Sequence, residues 1–157
     1  MSPSKKSSSR TSASSSSEAA SGRAGPLGRS NFVVDWGVRS ALSQAFSEVI
    51  FPRFHADGDS VGSAPTGEGG GENLILRRGA TGALDLYDWW DRARRGRAPR
   101  RRVVTVELLD PTGRDVLMTW RFSEARPVSL TYSPLLAMDS GVLMETIEIA
   151  FHGVEIT

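Results

Sequence analysis

The chain has 157 residues, room for one domain but hardly two, and its formal charge at pH 7 is only +1. It contains no cysteine and only two histidines, His55 and His152, far apart. Disulfides and thiolate metal sites are therefore excluded, and little material remains for a metal centre.

Residues 1–30 hold twelve serines, and Leu27 is their one large aliphatic residue besides Met1. Such a segment buries too little apolar surface to offset the entropy of ordering, so it is predicted to be a disordered tail. It has no apolar run that would make a secretory signal or a membrane anchor, and it lacks the amphipathic face of a mitochondrial presequence. Lys5, Lys6, Arg10, Arg23 and Arg29 stand against Glu18, a net of +4, which leaves 14 basic and 17 acidic residues in 31–157. An acidic folded part argues against a duplex-binding module, whose affinity comes largely from phosphate neutralisation.

Residues 31–157 are read as one domain. Asn31–Trp36 (NFVVDW) is β-branched and aromatic and reads as a first strand; Ala45–Phe51 (AFSEVIF) follows as a second and stops at Pro52. Residues 55–73 contain six glycines among polar residues and form a long loop, of a kind that is usually functional or ordered on assembly. Leu74–Arg78 is a short strand stopped at Gly79.

From Leu84 to Arg95 the period becomes helical: Leu86, Trp89, Trp90 and Ala93 fall at i, i+3, i+4 and i+7 and form the predicted core-packing face. Asp85 and Asp88 near the start, with Arg92, Arg94 and Arg95 at the end, complement the helix dipole. Thr81 or Gly82 is predicted to cap the start, and Gly96 to end the helix in a left-handed conformation. Arg102–Leu109 and Asp115–Phe122 make a hairpin around Asp110-Pro111-Thr112-Gly113, a type I turn pattern. Pro127–Tyr132 and Val142–Phe151 supply two further strands, and Glu145 interrupts the apolar face of the last. Six or seven strands and one helix give a mainly β fold, a small barrel or sandwich with one flanking α-helix.

The order and spacing of these pieces over Asn31 to about Glu155 resemble the tail tube proteins of contractile phages and of the contractile injection systems related to them. The pieces are NFVVDWG, AFSEV, LRRG, a helix built on D-x-W-W, an acidic-residue–Gly hairpin turn, W-x-F, the Ala125-x-Pro127 step and a closing ETIEIAFHG. The Gly-rich run 57–71 departs from the family's usual charged strand and Leu-Pro-Gly step. The resemblance implies no chemistry and no cofactor. It implies a structural subunit that closes into hexameric rings, stacked into a tube whose lumen passes cargo protein or DNA. Implied partners are other copies of itself, the sheath protein, and baseplate, spike and tube-end proteins, with no small-molecule substrate and no stable membrane insertion of the monomer. Implied location is cytoplasmic assembly in a bacterial cell, into a phage-tail-like particle or virion. The loop 55–73 takes the place of the family's inter-ring stacking loop, with Asp57, Gly58, Asp59, Glu68, Gly70 and Glu72 as its candidate residues.

Rival readings start from single features. The Arg-rich run 92–102 reads first as a solvated helix end and turn, and next offers Arg92, Arg94, Arg95 and Arg97 as an outer-wall contact to acidic groups of the sheath. With Arg100, Arg101 and Arg102 it could instead serve a nucleic-acid-binding β-barrel, although no interleaved aromatics or reading helix accompany it. Glycine at 58–71 lacks the G-x-x-x-x-G-K-[ST] pattern, and the domain has no lysine, which argues against a phosphate cradle. Asp57, Asp59, Glu68 and Glu72 lack EF-hand spacing. Glu145 and Glu148 point to opposite strand faces, and Ser123, Asp139 and His152 match no catalytic pattern, so the chain reads as non-enzymatic. Glu145, costly to bury alone, is predicted to pair with an arginine across an interface.

Overall fold

Strand and helix periodicities lie end to end along the sequence, and the computed structural model assembles them around one core; it describes residues 27–38, 45–54, 73–96 and 101–157. The elements are β1 (Phe32–Asp35), β2 (Glu48–Ile50), β3 (Leu74–Gly79), α1 (Asp85–Arg94), β4 (Arg102–Leu109), β5 (Val116–Tyr132), β6 (Met144–Ala150) and β7 (Gly153–Ile156). All strand pairs are antiparallel, in the order β1-β4-β5-β6-β3-β2, with β7 also on β5. The mainly β architecture with one helix is the one that the residue patterns imply.

β5 organises the sheet. Its first half pairs with β4 and its second with β6, so the two stretches predicted as separate strands are one of 17 residues. The Ser123–Pro127 step breaks the local pattern but not the ladder, because Ala125 faces Arg102 of β4 and Arg126 faces Ala150 of β6. A bend is concentrated there. Glu124 adopts φ 51°, a left-handed conformation that costs a non-glycine residue about 1–2 kcal/mol, and its carboxylate accepts from Arg101 Nη1. Register also shifts between Pro127 and Ser129, which places a residue without an N–H at an irregularity.

β6 and β7 run in succession along one flank of β5: Ala150 pairs with Arg126, and Gly153 with Ser123. His152 N donates to Ser123 O at 3.0 Å across the joint. The final strand was not anticipated, since His152 and Gly153 offer no strand signal of their own. β2 covers only Glu48–Ile50, in the later half of the predicted Ala45–Phe51 strand.

The β4–β5 turn forms as its residues dictate. Gly113 N donates to Asp110 O at 2.9 Å, and Gly113 takes φ 71°. The Asp110 carboxylate accepts from the Thr112 hydroxyl and from the amides of Arg114 and Asp115, and these hydrogen bonds, the Thr112 one foremost, lower its pKa to about 2.

Alternating residues of β3, β4 and β6 (Leu74, Leu76, Val104, Val106, Ile147, Ile149) fill the space enclosed by the bent sheet, with Phe122 and Phe151 in edge contact at 4.9 Å. The helix starts from Leu84 without a side-chain cap, contrary to the Thr81/Gly82 expectation: the Thr81 hydroxyl instead accepts from Ala83 N at 3.4 Å. Gly96 ends the helix at φ 63°.

Candidate functional site

β-Periodicity puts Arg78 on the same face as Leu74 and Leu76, and Glu145 on the same face as Ile147 and Ile149. Both faces point into the core. Arg78 is wholly buried and Glu145 nearly so. The β3–β6 register sets them directly opposite one another, and β5 places Tyr132 on the far side of Glu145. Arg78 Nε donates to Glu145 Oε1, while its Nη2 and Nη1 donate to Asp85 Oδ1 and Oδ2 at 2.5 and 3.2 Å. Phe46 lies under the same guanidinium, 5.6 Å from ring centre to Cζ.

Glu145 therefore finds its arginine within the subunit, which corrects the expectation of a partner across an interface. The strand ladder already holds the two at adjacent positions, so no second copy is required. Asp85 opens α1, and the ion-paired trio ties the helix to the sheet.

Burial alone would raise the Asp85 pKa, but hydrogen bonds from Arg78 and its charge outweigh this and hold it below the usual 3.8. For Arg78 burial is again the largest influence and disfavours the charge, yet the two carboxylates prevail and raise its pKa. Burial, and then the nearby Glu145 carboxylate, raise that of Tyr132.

A carboxylate with a depressed folded pKa contributes stability that is complete above its unfolded value and disappears as pH falls through the folded one. The melting temperature of the subunit should thus fall more steeply below about pH 4 than that of Asp85→Asn. Thermal melts of both proteins across that range check this; parallel curves would remove the role given to Asp85.

A second arginine enters the core at the other side of the helix. The Arg102 guanidinium lies 4.9 Å from the Trp36 ring centre and 4.7 Å from that of Trp89, and the two rings are 5.2 Å apart. Leu86 and Trp89 are buried, whereas Trp90 and Ala93 are only partly covered. Trp90 belongs to the outer side of the helix, where it contacts Tyr87 at 6.0 Å and the Arg94 guanidinium at 5.2 Å. The apolar face predicted from spacing is wider than the face actually buried, because a ten-residue helix on the sheet's flank presents one narrow stripe.

The predicted arginine cluster is dispersed. Arg94 and Arg95 both pair with Asp91, at 2.8 and 2.9 Å, Arg101 pairs with Glu124, and Arg102 goes inward. Arg92 is exposed, and Arg97 and Arg100 lie outside the described residues. Among the described residues the run therefore does not act as one block of charge: three of its arginines face carboxylates and Arg102 faces aromatic rings. The candidate stacking residues Asp57, Gly58, Asp59, Glu68, Gly70 and Glu72, and residues 1–26 of the tail, also lie outside them.

The features that bear on assembly are the sheet's borders. Among the described residues β1 pairs only with β4, β2 only with β3 and β7 only with β5, so the strand order ends in two edges, β1 and β2, that do not pair with each other. Between them opens a cleft lined by Phe32, Val49, Phe51, Val106, Leu108 and Trp120, with Leu27–Ser30 at its rim. Phe51 meets Trp120 inside it, ring centres 4.7 Å apart and planes tilted by 41°. The outward face of β2, β3, β6 and the second half of β5 carries a polar strip paired within itself, beside the cross-strand pair Ile50–Ile75. Arg77 bridges Glu48 (2.6 Å) and Thr146 (3.2 Å), and Glu148 accepts from Asn73 (2.7 Å) and Ser129 (3.0 Å). Among the described residues there is no grouping of side chains suited to a metal ion, and no helix long and apolar enough to cross a membrane.

Comparison with known proteins gives the family and the fold. The family model for the T4-like virus tail tube protein gp19 matches residues 29–155. Among solved structures, the chain is similar to one in the sheath–tube complex of an extracellular contractile injection system (PVC) in the extended state. Identity there is 25%, with 84% of this chain and 91% of that chain covered and a TM-score of 0.63. It also shares its fold with the tube-terminating cap of the anti-feeding prophage (20% identity, 85% and 92% covered, TM-score 0.66). The same is true of Hcp1 from Flavobacterium johnsoniae (16% identity, 80% and 94% covered, TM-score 0.52). No curated protein matches the chain.

Proposed function

The chain belongs to the T4-like virus tail tube protein gp19 family and is a structural tail tube subunit, and from that membership we propose that its copies close into hexameric rings that stack around a channel. The observation that carries the proposal is the pair of unmatched edges, β1 and β2, at the ends of the strand order. Unpaired strand borders are a liability in a soluble monomer. A heterologous contact between unlike borders of successive copies satisfies them and closes a ring when the rotation per step divides a full turn.

The self-paired polar face of β2, β3 and β6 supports its placement on the channel wall. Its charges are balanced, Arg77 against Glu48 and Glu148 among neutral donors, so it offers a passing protein or nucleic acid no block of one charge. Partners then follow from the similar chain of the sheath–tube complex: a contractile sheath outside, with baseplate and tube-end proteins at the termini. Assembly takes place in the bacterial cytoplasm, and the work done is mechanical, a rigid conduit rather than a catalyst. Residues 55–73 are assigned to contacts between rings on the family resemblance.

Purified full-length protein, concentrated and viewed by negative-stain electron microscopy, should show rings or tubes. A monodisperse monomer at every concentration and salt tested would overturn the reading.

A further inference from the structure

The eleven residues from Ser133 to Leu143, between β5 and β6, carry the three most exposed large apolar side chains among the described residues, and a fourth close behind. Leu135, Leu136, Met138 and Val142 are 83%, 60%, 100% and 70% exposed. The segment is nevertheless held in a fixed shape. Ser133 and Met144 exchange hydrogen bonds at its base, Ala80 N donates to Leu143 O, and Asp139 N donates to Leu136 O at 3.1 Å. A fixed loop that displays four large aliphatic side chains to water is a surface that lacks its counterpart.

We propose that this loop is a knob that inserts into the β1–β2 cleft of a neighbouring copy of the same chain. The inference rests on the tube-subunit reading and names the contact that such an assembly would use.

Three observations favour a second copy as occupant. The cleft is apolar where the loop is apolar, with Phe32, Val49, Phe51, Leu108 and Trp120 among its lining. Charges also complement: Asp139 is the loop's one charged residue, and Arg29 stands at the cleft's rim, where Glu48 is already engaged by Arg77. Finally, knob and cleft are separate surfaces of one subunit. The loop adjoins the end of the sheet where Gly79 pairs with Met144, whereas the cleft's apolar residues on and just after β2 lie further along β3, Val49 opposite Leu76 and Phe51 beyond the Ile50–Ile75 pair. Two unlike surfaces on one chain define a head-to-tail contact that repeats from copy to copy.

The chain has no cysteine of its own, so paired cysteines report the contact cleanly. Met138→Cys and Val49→Cys, each a mild change in the subunit, are combined in the full-length chain and oxidised after assembly is verified by microscopy. The expected result is a ladder of disulfide-linked dimers and higher multimers with the double variant, and none with either single variant. In parallel, Leu135→Asp with Met138→Asp should leave the thermal melt of the subunit unchanged, because both side chains are fully outside its core, and lower the assembled fraction at least tenfold. Rings that form normally in both variants, with no ladder, would overturn this proposal and leave the tube reading intact. Absence of rings in the unmodified protein would instead count against the tube reading itself. A disulfide from Val49→Cys to a cysteine placed within residues 1–26 would assign the cleft to the chain's own N-terminal segment and also overturn the proposal.

Discussion

Replacing Arg78 with methionine should lower the unfolding free energy of the isolated subunit by about 3–5 kcal/mol. The side chain is wholly buried, so the loss is not that of a surface ion pair, whose typical worth is about 0–1 kcal/mol. It comes mainly from Glu145, which stays in the core with its strongest donor removed. Asp85 suffers less, because its side chain is 21% exposed and can turn towards water. The larger part of the effect should therefore vanish when Glu145 is changed as well. In a double-mutant cycle, Arg78→Met with Glu145→Met should recover most of what Arg78→Met alone costs, since well-packed apolar replacements of a buried pair are often neutral. Urea unfolding followed by tryptophan fluorescence measures the unmodified chain, both single variants and the double variant. Additive single effects would show that the two residues act separately, against the ladder position that sets them side by side.

Such a pairing was within reach of the sequence. In Leu74–Arg78 the alternation places Arg78 with Leu74 and Leu76, and in Met144–Phe151 it places Glu145 with Ile147 and Ile149. An arginine and a glutamate on two core-directed faces have few places to go except to each other. The reading that sent Glu145 across an interface lacked the register between β3 and β6, and register is a property of two strands rather than of either one. Continuity of β5 was hidden for the same reason. Ser123–Pro127 reads locally as a break, and only the partners Arg102 and Ala150 on its two flanks carry the ladder through.

Local signals succeeded where one segment contains its whole cause. The Asp110–Gly113 turn, the helical period around Trp89 and the Gly96 terminus each follow from neighbours in sequence. The arginine run 92–102 shows the opposite case. Its charge is legible as a block, yet Asp91, Glu124 and the rings of Trp36 and Trp89 take its members apart in space. The borders that make the chain an assembling subunit were legible only through the family resemblance, because an unpaired edge has no composition of its own.

The two adjacent tryptophans should separate sharply on substitution. Trp89→Ala is expected to destabilise the subunit by about 3–5 kcal/mol. It would leave a cavity beside Trp36 and strip one of the two rings from the Arg102 guanidinium. Trp90→Ala, on the outer side of the helix, should cost about 1 kcal/mol or less, close to the range of surface changes. Trp89→Phe gives an internal check, because Trp89 Nε1 is buried with no hydrogen-bond acceptor among the described residues. Its loss forfeits ring area but no hydrogen bond, so Phe should retain more of the stability than Ala does. If Trp90→Ala proved as damaging as Trp89→Ala, the helix would have to present both rings to the core, and the narrow buried stripe of Leu86 and Trp89 would be the wrong description of how it docks. Assembly offers a second measurement on the same variants. Trp90 contacts Tyr87 and Arg94 on a face that the subunit leaves partly open, so loss of sheath binding by Trp90→Ala with an unchanged melt would place this outer side of the helix at the sheath contact.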